Sequence, residues 1–313
     1  MKCIVEMVFG SHLYGTDTPE SDKDYKGVFM PARDDILLGR IPKSINESTK
    51  KSSSWEKNTK DDIDTERFSL HYFIQLAIEG QTVALDMLHA PDEMMLESSD
   101  TWRWIVANRS KFYTKNLRSF IGYARRQAAK YGIRGSRLNA AREFISFLRG
   151  LDEYGILKDS WDKIPIGEHI NSRPPDDHGI RQIQVCGKLF QETTRVGYII
   201  PIMEKFADNY GERAQKAANN EGIDWKAVSH AVRAALQVRE LLTDNTITFP
   251  LKDADLVRAI KQGKMDYTTE AAPLLENLIG EVEKLAEKST LPEKADRKFW
   301  ENFIISETGR TVA

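Results

Sequence analysis

The sequence predicts an α+β protein in which a small mixed-sheet domain, residues 1–110, is followed by an all-α domain, residues 111–313. Runs rich in β-branched and aromatic residues occur in the first third of the chain, whereas helical spacing of apolar residues dominates from about Trp102 onward. The length of 313 residues also exceeds the usual size of one domain, which favours two.

The first domain is predicted to mix strands with a helix. The runs KCIVEMVF and DYKGVFM have the partial alternation of strands, and RFSLHYFIQLAIEG has apolar residues at helical spacing and ends at Gly80. The short apolar run TVALDMLHAP, stopped by Pro91, is predicted to be a further strand. Between Ile41 and Thr65 the chain is polar and rich in Ser and Lys, so we expect a loop or an exposed edge hairpin there.

The second domain is predicted to consist of amphipathic helices. The segments that show this pattern are RLNAAREFISFLRGL, QIQVCGKLFQETTRVGYII, DWKAVSHAVRAALQVRELL and AAPLLENLIGEVEKLAEK. Their lengths and spacing differ too much for a solenoid repeat. We therefore expect one all-α domain after the mixed sheet.

Basic residues are concentrated in one stretch of the chain. The formal net charge is −2, but Thr101 to Arg142 contains eleven Lys or Arg and no Asp or Glu. Such segregation is typical of a face that binds nucleic acid or a polyphosphate, although the stretch could instead neutralise an acidic surface of the same protein. In NLRSFIGYARRQAAKY the apolar side chains share one arc of a helical wheel and the basic ones lie on another. The residues predicted to face nucleic acid are Arg118, Arg125, Arg126 and Lys130.

Composition argues against a membrane or secreted protein. The chain has no run of eighteen apolar residues, and its start, MKCIVEMVFG, lacks the features of a signal peptide. The two cysteines, Cys3 and Cys186, have no metal-ligand spacing, so each is predicted to be a reduced packing residue. We expect a cytoplasmic protein without a membrane partner.

Two aspartates one residue apart are the first candidate metal ligands. Successive strand residues point to opposite faces, so Asp22 and Asp24 project from the same face. Two close carboxylates repel each other unless a cation joins them, and Mg²⁺ prefers oxygen ligands. The pair therefore predicts half of a metal site, although such pairs also occur in surface turns where Asp caps backbone amides.

The turn before this pair has the composition of a phosphate-binding loop. At Gly10 and Ser11 the chain leaves an apolar strand, and glycine lets the backbone approach a bound group closely. A small hydroxyl and exposed N–H groups can hold phosphate oxygens. The alternative is a turn that only ends the strand.

A third acidic residue interrupts an apolar run. Asp86 lies within VALDML, and an unpaired carboxylate buried in such a strand would cost several kcal/mol. A metal ion shared with Asp22 and Asp24 would compensate it, and the carboxylate could also accept the proton of an attacking hydroxyl. The alternative places Asp86 at the exposed end of an edge strand.

These residues resemble the DNA polymerase β-like nucleotidyltransferase superfamily. Its signature is a Gly-Ser motif followed by Asp-x-Asp and a later acidic strand residue, which correspond here to Gly10-Ser11, Asp22-x-Asp24 and Asp86. The form GSHLYGTDTPESDKDYKGVFMP is similar to a bacterial and phage branch associated with RNA repair. In that branch the third acid is often Glu, which makes Glu79 the alternative to Asp86.

The resemblance extends into the helical half. The segment SHAVRAALQVRELL, with His230 and Arg233, is similar to the His-x-x-Arg helix of that branch, and ITFPL and IKQGK are similar to the segments that come after this helix in the branch. The resemblance implies that residues 1–110 form the catalytic nucleotidyltransferase domain and that residues 111–313 form a helical substrate-binding domain.

The resemblance also implies a reaction. A nucleoside monophosphate would pass from an NTP such as ATP to a hydroxyl acceptor with release of pyrophosphate, using two Mg²⁺ ions, for which Mn²⁺ can substitute. Asp22, Asp24 and Asp86 would bind metal. The nucleotide would contact Gly10 and Ser11, and also His230 and Arg233, for which the alternative is a solvated polar stripe of the helix. From their positions beside the turn and the aspartate pair, His12 and Lys26 are further candidates for contact with the triphosphate, and the alternative is that each is an exposed turn or strand residue.

The acceptor is expected to be an RNA end, such as that of tRNA. The enzyme is expected in the cytoplasm of a bacterial cell, encoded either by the bacterium or by a phage. Two alternatives stay open: nucleotidylation of a protein or small molecule, and a non-catalytic nucleic-acid-binding or antitoxin-like protein. The basic stretch favours RNA, and the acidic residue in an apolar run favours an enzyme.

Overall fold

The computed structural model describes residues 1–49, 61–116, 135–167 and 169–313. The chain divides into two compact units. The first unit contains Met1–Arg125, Trp225–Met265 and Leu274–Ala313, and the second contains Arg126–Asp224 and Asp266–Pro273. This division differs from a single boundary near residue 110, because C-terminal segments belong to the same unit as the N-terminal sheet.

The first unit is built on a five-stranded mixed sheet with the order β3-β4-β2-β1-β5. Strand β2 pairs with β4 in parallel, and the other neighbours are antiparallel. The strands are β1 (Lys2–Val8), β2 (Lys23–Met30), β3 (Ser44–Ser48), β4 (Ile63–Ser69) and β5 (Met95–Ser98).

The central strands carry the core of this sheet. Val5 and Met7 of β1 and Val28 of β2 are fully buried, which confirms the two strands predicted from KCIVEMVF and DYKGVFM. In the polar segment before the first long helix, β3 pairs with β4 at the edge of the sheet, which confirms the edge hairpin, one of the two possibilities expected for this segment. Strand β4, whose sequence is IDTERFS, extends past Thr65 into the run that was predicted to be helical.

The described residues form eleven α-helices. They are α1 (Gly10–Tyr14), α2 (Arg33–Leu37), α3 (Leu70–Ile78), α4 (Thr82–His89), α5 (Asp100–Ala107), α6 (Gly135–Arg149), α7 (Val196–Ala218), α8 (Trp225–Asp244), α9 (Ala254–Lys261), α10 (Ala272–Lys288) and α11 (Arg297–Val312). Within the first unit, α8 packs against α9, and α11 packs against α2 and α3. In the described part of the chain, no helix combines the length and apolarity needed to cross a bilayer.

The run TVALDMLHAP is helix α4 and not a strand, so that prediction was wrong. All residues from Ala84 to His89 are buried. A short apolar run that is buried on every side shows neither the alternation of a strand nor the stripe of a helix, so periodicity does not distinguish the two. Asp86 therefore lies on a helix.

The second unit contains α6, α7 and a three-stranded antiparallel sheet, β6 (Ile170–Arg173), β7 (Gln182–Val185) and β8 (Lys188–Gln191). The helix predicted for QIQVCGKLFQETTRVGYII was thus wrong over its first half. Cys186 and Gly187 both have positive φ, 50° and 87°, as a two-residue hairpin turn requires. Cys186 is buried in the hydrophobic core of this unit, as predicted for a packing residue.

Candidate active site

Three carboxylates lie together on one face of the first unit's sheet. In the parallel pair β2–β4, Asp24 is in register with Asp64, and Asp22 precedes β2 by one residue. Oxygen atoms of Asp22, Asp24 and Asp64 all lie within 4.8 Å of one another. Carboxylate oxygens at this spacing are suited to a hard divalent cation.

The three carboxylates repel one another. Burial is the largest cause that raises the pKa of Asp24, and Asp22 and Asp64 raise it further. Lys26 and Lys226 act in the opposite direction and lower it. The protein therefore keeps a half-buried carboxylate where ionisation is costly, an arrangement that a bound cation would stabilise.

Glycine is required at position 10 because the backbone there lies against the Asp24 side chain. Its φ is +63°, and a Cβ atom there would lie 2.0 Å from Asp24 Oδ2. The neighbouring Phe9 N–H donates a hydrogen bond of 2.8 Å to the Asp24 carbonyl oxygen. Only glycine fits this conformation and this space, so the turn and the carboxylate fix each other's position.

The two residues after Gly10 present polar atoms that no protein group satisfies. Ser11 Oγ and His12 Nε2 are buried and have no hydrogen-bond partner. The other ring nitrogen of His12, Nδ1, lies 3.6 Å from Asp17 Oδ2. A buried polar group without a partner costs about 1–3 kcal/mol. Both atoms therefore fit a polar ligand such as a phosphate oxygen.

Lys26 is held by an ion pair on the same face. It is in register with Glu66, and its Nζ lies 2.7 Å from Glu66 Oε2. Its expected contact with the triphosphate remains a prediction, and the structure adds that Glu66 anchors its ammonium group.

Helix α8 supplies further positive charge. Lys226 lowers the pKa of Asp24, so its ammonium group acts on the carboxylate group. Lys226, His230, Arg233 and Gln237 follow one another at intervals of four, three and four residues, which places them on one face of α8. Sequence reasoning identified His230 and Arg233 but missed Lys226, although the same spacing points to it.

Asp86 is not part of the three-carboxylate group. It is 1% exposed, and its carboxylate accepts hydrogen bonds from Tyr14 Oη (2.8 Å), Arg233 Nη1 (2.9 Å) and Gln237 Nε2 (2.7 Å). Burial raises the pKa of Asp86, and the Arg233 guanidinium opposes that shift. The predicted compensation by a shared metal is therefore corrected: Arg233 and two neutral donors compensate this charge.

The third carboxylate beside Asp22 and Asp24 is that of Asp64, and not that of Asp86. Only the pairing of β2 with β4 brings Asp64 beside Asp24, so the sequence held no local signal for it. The alternative, Glu79, is exposed and accepts a hydrogen bond from Gln75 at the end of α3. The predicted nucleic-acid residues, Arg118, Arg125, Arg126 and Lys130, lie outside the described residues.

Comparisons with known proteins show the family of the chain. Residues 1–151 match RlaP, described as the RNA repair pathway DNA polymerase beta family. The chain is 40% identical over 329 aligned positions to the "Uncharacterized 38.9 kDa protein in nrdC-mobD intergenic region" of Enterobacteria phage T4, covering 97% of this chain and 96% of that protein. No solved structure matches. The chain belongs to the RNA repair pathway DNA polymerase beta family.

Proposed function

We propose that the protein is a Mg²⁺-dependent nucleotidyltransferase that moves a nucleoside monophosphate from an NTP to the hydroxyl of an RNA end. The observation that carries the proposal is the group Asp22, Asp24 and Asp64, whose oxygens lie within 4.8 Å of one another beside the Gly10 turn. Family membership supports the same class of reaction.

The three carboxylates fit divalent cations, Mg²⁺ or Mn²⁺. Their oxygens are hard ligands, and the raised pKa of Asp24 reflects mutual repulsion in addition to burial. When bound, such ions would neutralise phosphate oxygens and make the acceptor hydroxyl easier to deprotonate. Asp22, Asp24 and Asp64 would hold them.

The chain's own residues have distinct roles in this reaction. The acceptor oxygen attacks the α-phosphorus of the NTP, the bond from that phosphorus to the bridging oxygen breaks, and pyrophosphate leaves. Asp64 accepts the hydroxyl proton, since a carboxylate beside the attacking group can act as general base. Ser11 Oγ and His12 Nε2, both buried without a protein partner, bind the leaving phosphates.

An RNA acceptor is favoured over a protein or small molecule. The family description refers to RNA repair, and the stretch from Thr101 to Arg142 is basic without an acidic residue. A non-catalytic binding protein has no need for three mutually repelling carboxylates around one point. Of the alternatives, an enzyme with an RNA end as acceptor thus agrees best with the described residues and the sequence.

A labelling experiment tests the proposal. The protein is incubated with each α-³²P-labelled NTP, Mg²⁺, total RNA and a fraction of other proteins as possible acceptors. The labelled RNA and protein are then separated. We expect label on RNA, lost in Asp24→Asn and retained in Glu79→Gln, which removes an exposed carboxylate outside the three-carboxylate group. Label on protein would redirect the acceptor assignment, and no label with any NTP would refute the enzyme assignment.

A further inference from the structure

Asp86 lies at the meeting point of three elements of the first unit. Its Oδ2 accepts hydrogen bonds from Tyr14, the last residue of α1, and from Arg233 of α8. Its Oδ1 accepts one from Gln237, one turn further along α8. A single buried carboxylate on α4 therefore binds the C-terminal end of α1, the short helix that begins at Gly10 and Ser11, and helix α8, which carries Lys226.

The contacts around Asp86 form a closed network. Arg233 Nη1 also donates to Gln237 Oε1 at 3.0 Å, and the Arg233 guanidinium lies 4.0 Å from the centre of the Tyr14 ring. Burial and the Asp86 charge raise the pKa of Tyr14, so its hydroxyl stays protonated and donates. All three donors reach an oxygen of the same carboxylate, which leaves little freedom for either helix to shift.

The end of helix α1 has further contacts through its backbone. Leu251 N–H donates to the Tyr14 carbonyl oxygen at 3.2 Å, and Arg258 donates to the Gly15 carbonyl oxygen. A Cβ atom on Gly15 would lie 2.7 Å from Pro250 Cβ. The backbone at the end of α1 is thus held by Leu251 and Arg258, and the Tyr14 side chain joins the same end to Asp86.

We infer that Asp86 is a positioning residue, which acts through Tyr14 and Arg233 to hold α1, the short helix that begins at Gly10 and Ser11, against helix α8. This inference rests on the proposed function, because the group it positions is the set of Ser11 and His12 atoms offered to the phosphates. Asp86 does not take the acceptor's proton, since Tyr14, Arg233 and Gln237 already occupy both of its oxygens.

Tyr14→Phe is the sharpest test, because it removes one hydrogen bond to Asp86 and keeps the ring on Arg233. Tyr113→Phe is the matched control: Tyr113 is 3% exposed, and its hydroxyl contacts His89 (2.8 Å) and Arg109 (3.1 Å). Equilibrium dialysis with a non-hydrolysable NTP analogue measures nucleotide affinity, and thermal melts with EDTA and with Mg²⁺ measure the metal site.

We expect Tyr14→Phe to weaken nucleotide binding measurably, by at most about a hundredfold, because the worth of one hydrogen bond to a charged group is the upper limit for the loss of an internal contact. The Mg²⁺-dependent rise in Tm should stay as in the wild type, and Tyr113→Phe should bind nucleotide normally. Hydrogen exchange at the amides of residues 10–16 should speed up in Tyr14→Phe and leave the sheet unchanged.

Asp86→Asn should show the same pattern more strongly while keeping measurable transfer. Unchanged nucleotide affinity and exchange in Tyr14→Phe would overturn the inference, as would loss of the Mg²⁺ effect in a folded Asp86→Asn, which would make Asp86 a metal ligand. If the wild type binds no nucleotide, both the inference and the proposed function fail. If the wild type transfers label and Tyr14→Phe binds nucleotide as tightly as the wild type, the inference fails and the proposed function stands.

Discussion

Asp24→Asn should make the protein more stable without divalent cations and insensitive to Mg²⁺. The amide is nearly isosteric with the carboxylate and removes one of three negative charges whose oxygens lie within 4.8 Å. Asp24 has the additional burden of burial, which is the largest cause that raises its pKa. The variant therefore removes an electrostatic repulsion that destabilises the protein when no cation is bound.

The size of the effect depends on the spacing. Two unit charges 4.8 Å apart interact by about 3.5 kcal/mol at an effective dielectric constant near 20 and by about 0.9 kcal/mol in water. Because Asp24 is half-buried, we expect a gain of about 1–3 kcal/mol in the free energy of unfolding, or several degrees in Tm, at about 2–4 °C per kcal/mol for a unit of 150–250 residues. Mg²⁺ at about a hundred times its Kd should stabilise the wild type by about 2.7 kcal/mol.

Differential scanning calorimetry with EDTA and with saturating Mg²⁺ measures both effects. Without metal the variant should melt above the wild type, and with Mg²⁺ the difference should shrink or reverse. Glu66→Gln is the matched control, because it removes a carboxylate on the same face but one that pairs with Lys26. Its Mg²⁺ effect should be that of the wild type. An undiminished Mg²⁺ effect in Asp24→Asn would refute the metal site.

The same carboxylate sets a pH dependence. A carboxyl group whose pKa is raised in the folded state binds a proton more tightly there than in the unfolded chain. In EDTA, wild-type stability should therefore fall as the pH rises from 3.8, the ordinary value for Asp24, through the raised pKa. Subtracting the pH profile of Asp24→Asn isolates this contribution; a difference between the two proteins that does not change with pH would contradict the assignment.

Three further outcomes are expected. Gly10→Ala should lose transfer activity and stability because its Cβ would meet Asp24 Oδ2 at 2.0 Å, whereas Gly39→Ala, with the same φ of +63° and nothing within 4 Å, should cost only about 1–2 kcal/mol in urea melts. Asp64→Asn should abolish the Mg²⁺-dependent rise in Tm and Asp86→Asn should retain it; the opposite result would restore Asp86 as the third ligand. A quadruple variant with neutral polar residues should bind RNA more weakly in filter binding; it replaces Arg118, Arg125, Arg126 and Lys130. The slope of log affinity against log salt concentration should become shallower by about 0.7 for each phosphate that the protein no longer neutralises. An unchanged slope would exclude these four residues as the RNA-binding face.

The sequence by itself determined the features that depend on local spacing. Asp22 and Asp24 share a face because side chains alternate along a strand, and a Gly-Ser pair at the end of an apolar strand is a local signal for a close-fitting turn. Helix α8 and the alignment of His230 with Arg233 follow from the helical period in the same way. Each of these inferences needs only neighbours within a few residues.

Only the tertiary structure decided the third carboxylate and the charge balance around the site. Asp64 reaches Asp24 because β4 pairs in parallel with β2, forty residues away in the chain, and no local pattern encodes that register. Asp86 lies in a run that is buried on all sides, and such an apolar run is compatible with either a strand or a helix. Its partner Arg233 is 147 residues away. A buried carboxylate must be compensated, and which distant group compensates it is a property of packing, not of the residues beside it.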